Sequence, residues 1–231
     1  MLGVIVNTVA VIIGCFAGLL LKKGISQKVS TAVMIGIGLC TTYLGIDGAL
    51  VGEQTLVLII SMVLGAAIGT ALDIDGRLNR LNDIVEAKMK DSGKQTSLVN
   101  AAVTASLLFC VGSLSIVGPI NAGLTGDNEL LFTKSLMDMI SAAMLSVSLG
   151  VGVMGAAAVV LVYEGIIALL AGVLAPILPD YVINEMTCAG SLLIVALGLN
   201  LIGATKIKVA NYLPAIIIAP IGAGIAHLLG A

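Results

Sequence analysis

The sequence predicts an all-α, polytopic transmembrane helical bundle of about eight helices, and three observations carry that prediction. The 231 residues are 59% hydrophobic and 10% charged, with a mean hydropathy of +1.16, whereas soluble domains carry about 25% charged residues. Apolar windows long enough to span a bilayer recur along the whole chain. The 28 glycines, set against 3 phenylalanines and no tryptophan, suit helices that approach one another through small residues. A net charge of −2, with all but one of the 11 basic residues set along one membrane face, leaves no nucleic-acid footprint.

The first window, 2–21, has no basic residue ahead of it and exceeds the length of a signal-peptide core, so it reads as a helix that stays in the membrane. Windows at 29–50 and 55–73 complete a first three-helix unit over 1–73. The stretch 75–95, "DGRLNRLNDIVEAKMKDSGKQ", sets Leu78, Leu81, Val85 and Met89 at three- and four-residue spacing among mixed charges. That pattern predicts an amphipathic connector lying on the membrane surface. A central helix pair occupies 97–152, with windows at 97–118 and 134–152. Between them lies the least regular stretch, Gly112 to Lys134, in which Gly118, Pro119 and Asn121 predict the end of the fourth helix. A half-helix or re-entrant loop there would expose backbone groups to an ion, and an external loop is the alternative. Windows at 155–178, 186–204 and 209–229 form the last unit, 155–231.

Charge orients this arrangement. Lys22, Lys23, Lys28, Arg77, Arg80, Lys88, Lys90, Lys94, Lys206 and Lys208 fall on one side, and of the 11 basic residues only Lys134 falls on the other. Asp47, Glu53, Asp127, Glu129, Asp180 and Glu185 share the opposite side. Excess Lys and Arg marks the cytoplasmic face, which places the 75–95 connector inside and both termini outside.

A shift of 158 residues pairs "AVIIGCFAGLL" (10–20) with "ALLAGVLAPIL" (168–178) and "GLCTTYLG" (38–45) with "ALGLNLIG" (196–203); one residue less pairs "LGAAIGTAL" (64–72) with "IGAGIAHLL" (221–229). Helices 1–3 and 6–8 thus read as copies. Corresponding helices are five apart, so the second copy crosses in the opposite sense and the repeat is inverted, the recurrent plan of secondary transporters with a site near the midplane. Chance similarity in so apolar a chain is the competing explanation.

The candidate polar groups inside the windows are few: Asn7, Thr41, Thr42, Asp138, Ser141, Glu164 and Asn200. Under the repeat Asn7 matches Gly165, next to Glu164, and Thr42 matches Asn200. Glu164 sits near the middle of its window, between Tyr163, whose hydroxyl can donate a hydrogen bond, and Gly165, which admits a close neighbour. A carboxylate at that depth binds a cation, meets water or stays protonated, and a hydrogen bond tying helices together is the structural alternative. Asp138, four residues after Lys134, fits an ordinary interfacial pair equally well. Cys15, Cys40, Cys110 and Cys188 are scattered without metal-binding spacing, and the single histidine, His227, accompanies neither HExxH nor GxSxG. We therefore expect no enzyme, no metal site and no cofactor. The GxxxG patterns Gly14–Gly18 and Gly65–Gly69 can pack helices within a protomer or between protomers.

Several stretches, "GVIVNTVAVIIG", "ASLLFCVGSLSIVGPINAGLTGD", "TKSLMDMISA" and "GLNLIGATKIKVANYLPAIIIAP", together resemble a bacterial inner-membrane family catalogued as domain of unknown function 554. The resemblance covers nearly the whole chain and implies a small polytopic inner-membrane protein, without a substrate. The function expected from the residues is a small secondary transporter or ion channel for a monovalent cation or protons. Its site would draw on Glu164, Asn7, Asn200 and Asp138, with Asn121, Thr42, Ser141 and Tyr163 nearby and Gly118, Pro119 and Gly165 as helix breaks or gates. A small-anion or carboxylate transporter and a non-transporting scaffold or assembly subunit are the alternatives. The small mass, 23.3 kDa, suggests a homodimer.

Overall fold

The computed structural model describes residues 1–22, 27–88, 98–111 and 114–229. Backbone polar groups in hydrocarbon must be satisfied within their own segment, so apolar runs of this kind become helices. The first three are α1 (Leu2–Lys22), α2 (Gln27–Ala49) and α3 (Thr55–Ala71). The charged α4 (Ile74–Lys88) leaves α3 at 47°, across Asp73 with its positive φ of 48°. It covers the described part of the 75–95 connector. Met89, Lys90 and Lys94, like Lys23, lie outside the described residues.

The central pair differs from its expected boundaries. Helices α5 (Leu98–Cys110) and α6 (Leu114–Leu124) meet at 64°. The bend therefore precedes Gly118 and Pro119, which lie inside α6 and do not end it. Helix α7 (Glu129–Leu149) leads through a 3₁₀ turn, Gly150–Met154, into α8 (Gly155–Leu169). The window at 155–178 is broken at Leu170, after which comes the short α9 (Ala171–Leu174). Helix α10 spans Asp180–Leu201, and a 3₁₀ turn at Val209–Tyr212 precedes α11 (Pro214–Leu228). Among the described residues there is no strand.

Taken as a run, Glu129–Leu169 holds 41 residues, which laid straight would measure about 60 Å, twice a bilayer core of about 30 Å. It folds back instead. Gly150 has φ +79° and ψ −156°, a conformation open essentially to glycine, and Lys134 Nζ comes within 3.2 Å of Glu164 Oε1. Among the described residues five helical segments are long and apolar enough to cross a membrane, or up to seven if each bent pair is one span, with 129–169 taken as a single segment.

Three close pairings organise the bundle. Helix α1 lies parallel to α7, and α2 and α10 run antiparallel, with Gly45 against Ser191 and Val195 and Gly52 against Cys188. Helices α3 and α11 are also antiparallel, Gly65 facing Ala215 and Val57 facing Gly222. Both GxxxG patterns are thus occupied within the protomer. The acids Asp47, Glu53, Asp127, Glu129, Asp180 and Glu185 collect at one end, and Lys22, Arg77, Arg80, Lys206 and Lys208 at the other. The polarity of a soluble protein is inverted. Leu20, Leu56 and Ile217 stand outward, while Ser61, Ser115 and Ser135 are buried. Such an exterior suits lipid.

Candidate functional site

The site is assembled by the approach of α1 to α7. A side chain on Gly14 would collide with the carbonyl of Met139, and one on Gly18 with that of Ala143. With the two backbones this close, the short side chain of Asn7 reaches two acids. Its Nδ2 donates to Asp138 Oδ2 at 3.1 Å and to Glu164 Oε1 at 2.9 Å. Lys134, one turn before Asp138 on α7, forms an ion pair with Asp138 and another with Glu164 at 3.2 Å. Asn7 and Glu164 are 0% exposed, Lys134 4% and Asp138 7%.

Two carboxylates thus share one ammonium and one amide. Glu164 Oε2 and Asn7 Oδ1 have no hydrogen-bond partner among the described residues, although a buried polar atom without a partner carries a desolvation cost of about 1–3 kcal/mol. The cluster lies between two apolar layers. Val4, Ala122, Leu131 and Ala168 close it toward the acidic end, and Val11, Cys15, Ala142 and Val160 toward the basic end. Sideways it opens. Lys134, Asp138 and Ser141 line a cavity of about 220 Å³ that reaches Asp47 at the acidic end, with Ser115, Thr187 and Ser191 on its walls.

The other expected site residues lie elsewhere. Asn200 stands near the basic end of α10, where its Nδ2 donates to Ile207 O and its Oδ1 accepts from Thr205 Oγ1 and Ile207 N. It clamps the loop before α11. Thr42 donates to Gly38 O one turn back and packs on Gly198 at the α2–α10 contact. Asn121 is half-buried in α6, its carbonyl accepting from Thr125. Tyr163 packs among Ile116, Ile167 and Ile183, on a different side of α8 from Glu164, as adjacent helix residues do. Among the described residues outside its own helical turn, nothing lies within 4 Å of where a Cβ on Gly165 would be, and α8 continues to Leu169.

The charge pattern makes Lys134 the one basic residue of the outer side, and the sequence leaves Asp138 as either a site residue or the interfacial partner of Lys134. Both are buried, because α1 packs against α7 and the fold-back at Gly150 lets the Glu164 side chain of α8 reach Lys134. The available signal was Lys134 itself, the exception in an otherwise one-sided charge distribution. Glu185 also has an unforeseen role, its Oε1 accepting from Glu53 N at 2.6 Å and Gln54 N at 2.8 Å at the start of α3. His227 stacks on Tyr181 with ring centroids 4.4 Å apart.

Comparison with known proteins adds membrane character and no chemistry. The family described as protein of unknown function DUF554 matches residues 2–223. The uncharacterized membrane protein YdfK of Bacillus subtilis is 33% identical over 234 residues, covering 100% of this chain and 99% of its own. The uncharacterized protein YqgA of Escherichia coli is 26% identical over 221 residues, covering 94% of each chain. No solved structure matches.

Proposed function

The chain belongs to the DUF554 family of membrane proteins of unknown function, and we propose that it is a small secondary transporter or ion channel of the bacterial inner membrane for protons or a monovalent cation. One observation carries the reading: Asp138 and Glu164, both buried, face a single buried ammonium, Lys134. With all three ionised the cluster holds one negative charge in excess. One proton, or one monovalent cation, brings it to neutrality, and Glu164 Oε2 and Asn7 Oδ1 are oxygens free to ligate it. Ionisable groups at membrane depth are costly and mark ion pathways. Lys134 is already engaged by two carboxylates, which disfavours the small-anion alternative.

The packing supports the inverted-repeat plan. Helices α2 and α10, and likewise α3 and α11, are corresponding members of the two units and pack antiparallel on each other, as helices beside an axis in the membrane plane do. The fold-back between α7 and α8 supports eight passes, with α5–α6 as a bent span and α8–α9 as one interrupted at Leu170. The basic end is assigned to the cytoplasm by the excess of Lys and Arg.

Ion flux into proteoliposomes tests this, with Na⁺, K⁺, H⁺, chloride and small carboxylates offered to the wild type and to Glu164→Gln at equal incorporation. The expected result is flux of a proton or monovalent cation whose rate or selectivity changes in the variant. No cation or proton flux, with Glu164→Gln altering stability alone, overturns the reading in favour of a scaffold.

A further inference from the structure

A second cavity, with a more polar lining, lies at the opposite end of the bundle, and the barrier between the two is thin. This cavity has a volume of about 420 Å³ and is lined by Asn79, Asn100, Thr104, Asn200, Thr205 and Lys208. It shares two helices with the cavity beside Lys134 and Asp138. On α5, Leu107 faces the basic-end cavity while the next residue, Leu108, faces the acidic-end one. On α10, Leu197 lines the former and Ile194 the latter. Three residues of helix rise about 4.5 Å, so one turn separates the two spaces.

The material in that turn is apolar. Leu107, Leu193 and Leu197 form one buried cluster, with Val111 packed against it. They are 6%, 1% and 6% exposed. On the acidic side, Thr187 is 4% exposed, lines the cavity, and its Oγ1 has no hydrogen-bond partner among the described residues. A hydroxyl oxygen held ready in this way suits a partly dehydrated small cation. A constriction of leucines between two cavities that each carry polar side chains stops ions by excluding water.

We propose that the transported ion passes between α5 and α10, from the Asp47 mouth past Asp138 and Thr187, and that Leu107, Leu193 and Leu197 are the gate closed in this conformation. This route rests on the transport reading above and deepens it. The charges at the two mouths are asymmetric, with Asp47 at one and Lys206 and Lys208 beside Asp75 at the other. A cation is thus drawn in at the acidic end.

The test is one-sided labelling of the full chain in sealed vesicles with a membrane-impermeant thiol reagent. Modified sites are mapped by mass spectrometry so that the four native cysteines are read separately. Ser141→Cys, on the acidic-end cavity, is expected to react at least about tenfold faster from the Asp47 face, and Thr104→Cys, on the basic-end cavity, at least about tenfold faster from the Lys206 face, because the closed gate excludes water between them. Added to each, Leu197→Ala, or the milder Leu107→Val, is expected to raise labelling from the far face by about tenfold. Protection of Ser141→Cys or Thr104→Cys from its own face, or far-face rates unchanged by both gate variants, overturns the route. Labelling reads the water path whatever is carried. The expected labelling without cation or proton flux therefore retains the path and rejects the substrate, while cation flux without labelling rejects the path and retains the substrate class.

Discussion

Lys134 holds the cluster together, and its removal isolates two buried acids. Breaking a buried ion pair from one side costs about 3–5 kcal/mol, so Lys134→Met is expected to lower the thermal unfolding temperature in detergent sharply. Adding Asp138→Asn to Lys134→Met should recover part of that loss, a non-additivity that a double-mutant cycle measures. If the two effects simply sum, the side chains do not share a network. Asn7→Ala removes two hydrogen bonds from the acids and is expected to cost about 1–3 kcal/mol, read in the same unfolding assay. Glu164 and Asn7 were legible as candidates because polar side chains are rare in these windows and the repeat set the two at nearly matching positions. Lys134 was not legible as a site residue. Its distance from Glu164 in sequence is bridged only by the fold-back, and near a helix start a lysine reads as interfacial.

At the scale of elements, small residues decide where helices touch. Gly18→Leu drives a side chain into the α7 backbone at Ala143, and overpacking of this kind costs about 1–3 kcal/mol or more. It should also separate Asn7 from Asp138. Gly36 on α2 has nothing among the described residues beyond its own helix within 4 Å of its Cβ position, so Gly36→Ala should be neutral or stabilising by up to about 1 kcal/mol. Equal destabilisation by both would contradict the α1–α7 contact. Gly150→Ala opposes the backbone conformation of the α7–α8 turn and is expected to cost about 1–3 kcal/mol, again by thermal unfolding. The helices were legible from their apolar windows. Their breaks were less so: Pro119 is accommodated inside α6, while Leu170, which carries no breaking chemistry of its own, ends α8.

For the whole molecule, the two charged ends make a prediction about topology. A reporter enzyme active only outside the cytoplasm, fused after residue 229, is expected to be active, and the same reporter inserted between Gly203 and Thr205 inactive. The opposite result would invert the bundle and exchange the two cavities. Composition and window length by themselves determined that this chain is a helical membrane protein, because in hydrocarbon no other open segment satisfies its own backbone. Charge counting determined which loops share an end, because that depends only on the parity of crossings. Only the tertiary structure decided which polar groups meet. Asn7 comes from α1, Lys134 and Asp138 from α7 and Glu164 from α8, so one member is remote in sequence and the others meet only through the fold-back, and the Asn200 side chain is drawn off to a loop. The cavities on either side of Leu107 and Leu197 exist only where α5 and α10 pack, since a void belongs to the arrangement of helices and to no single segment.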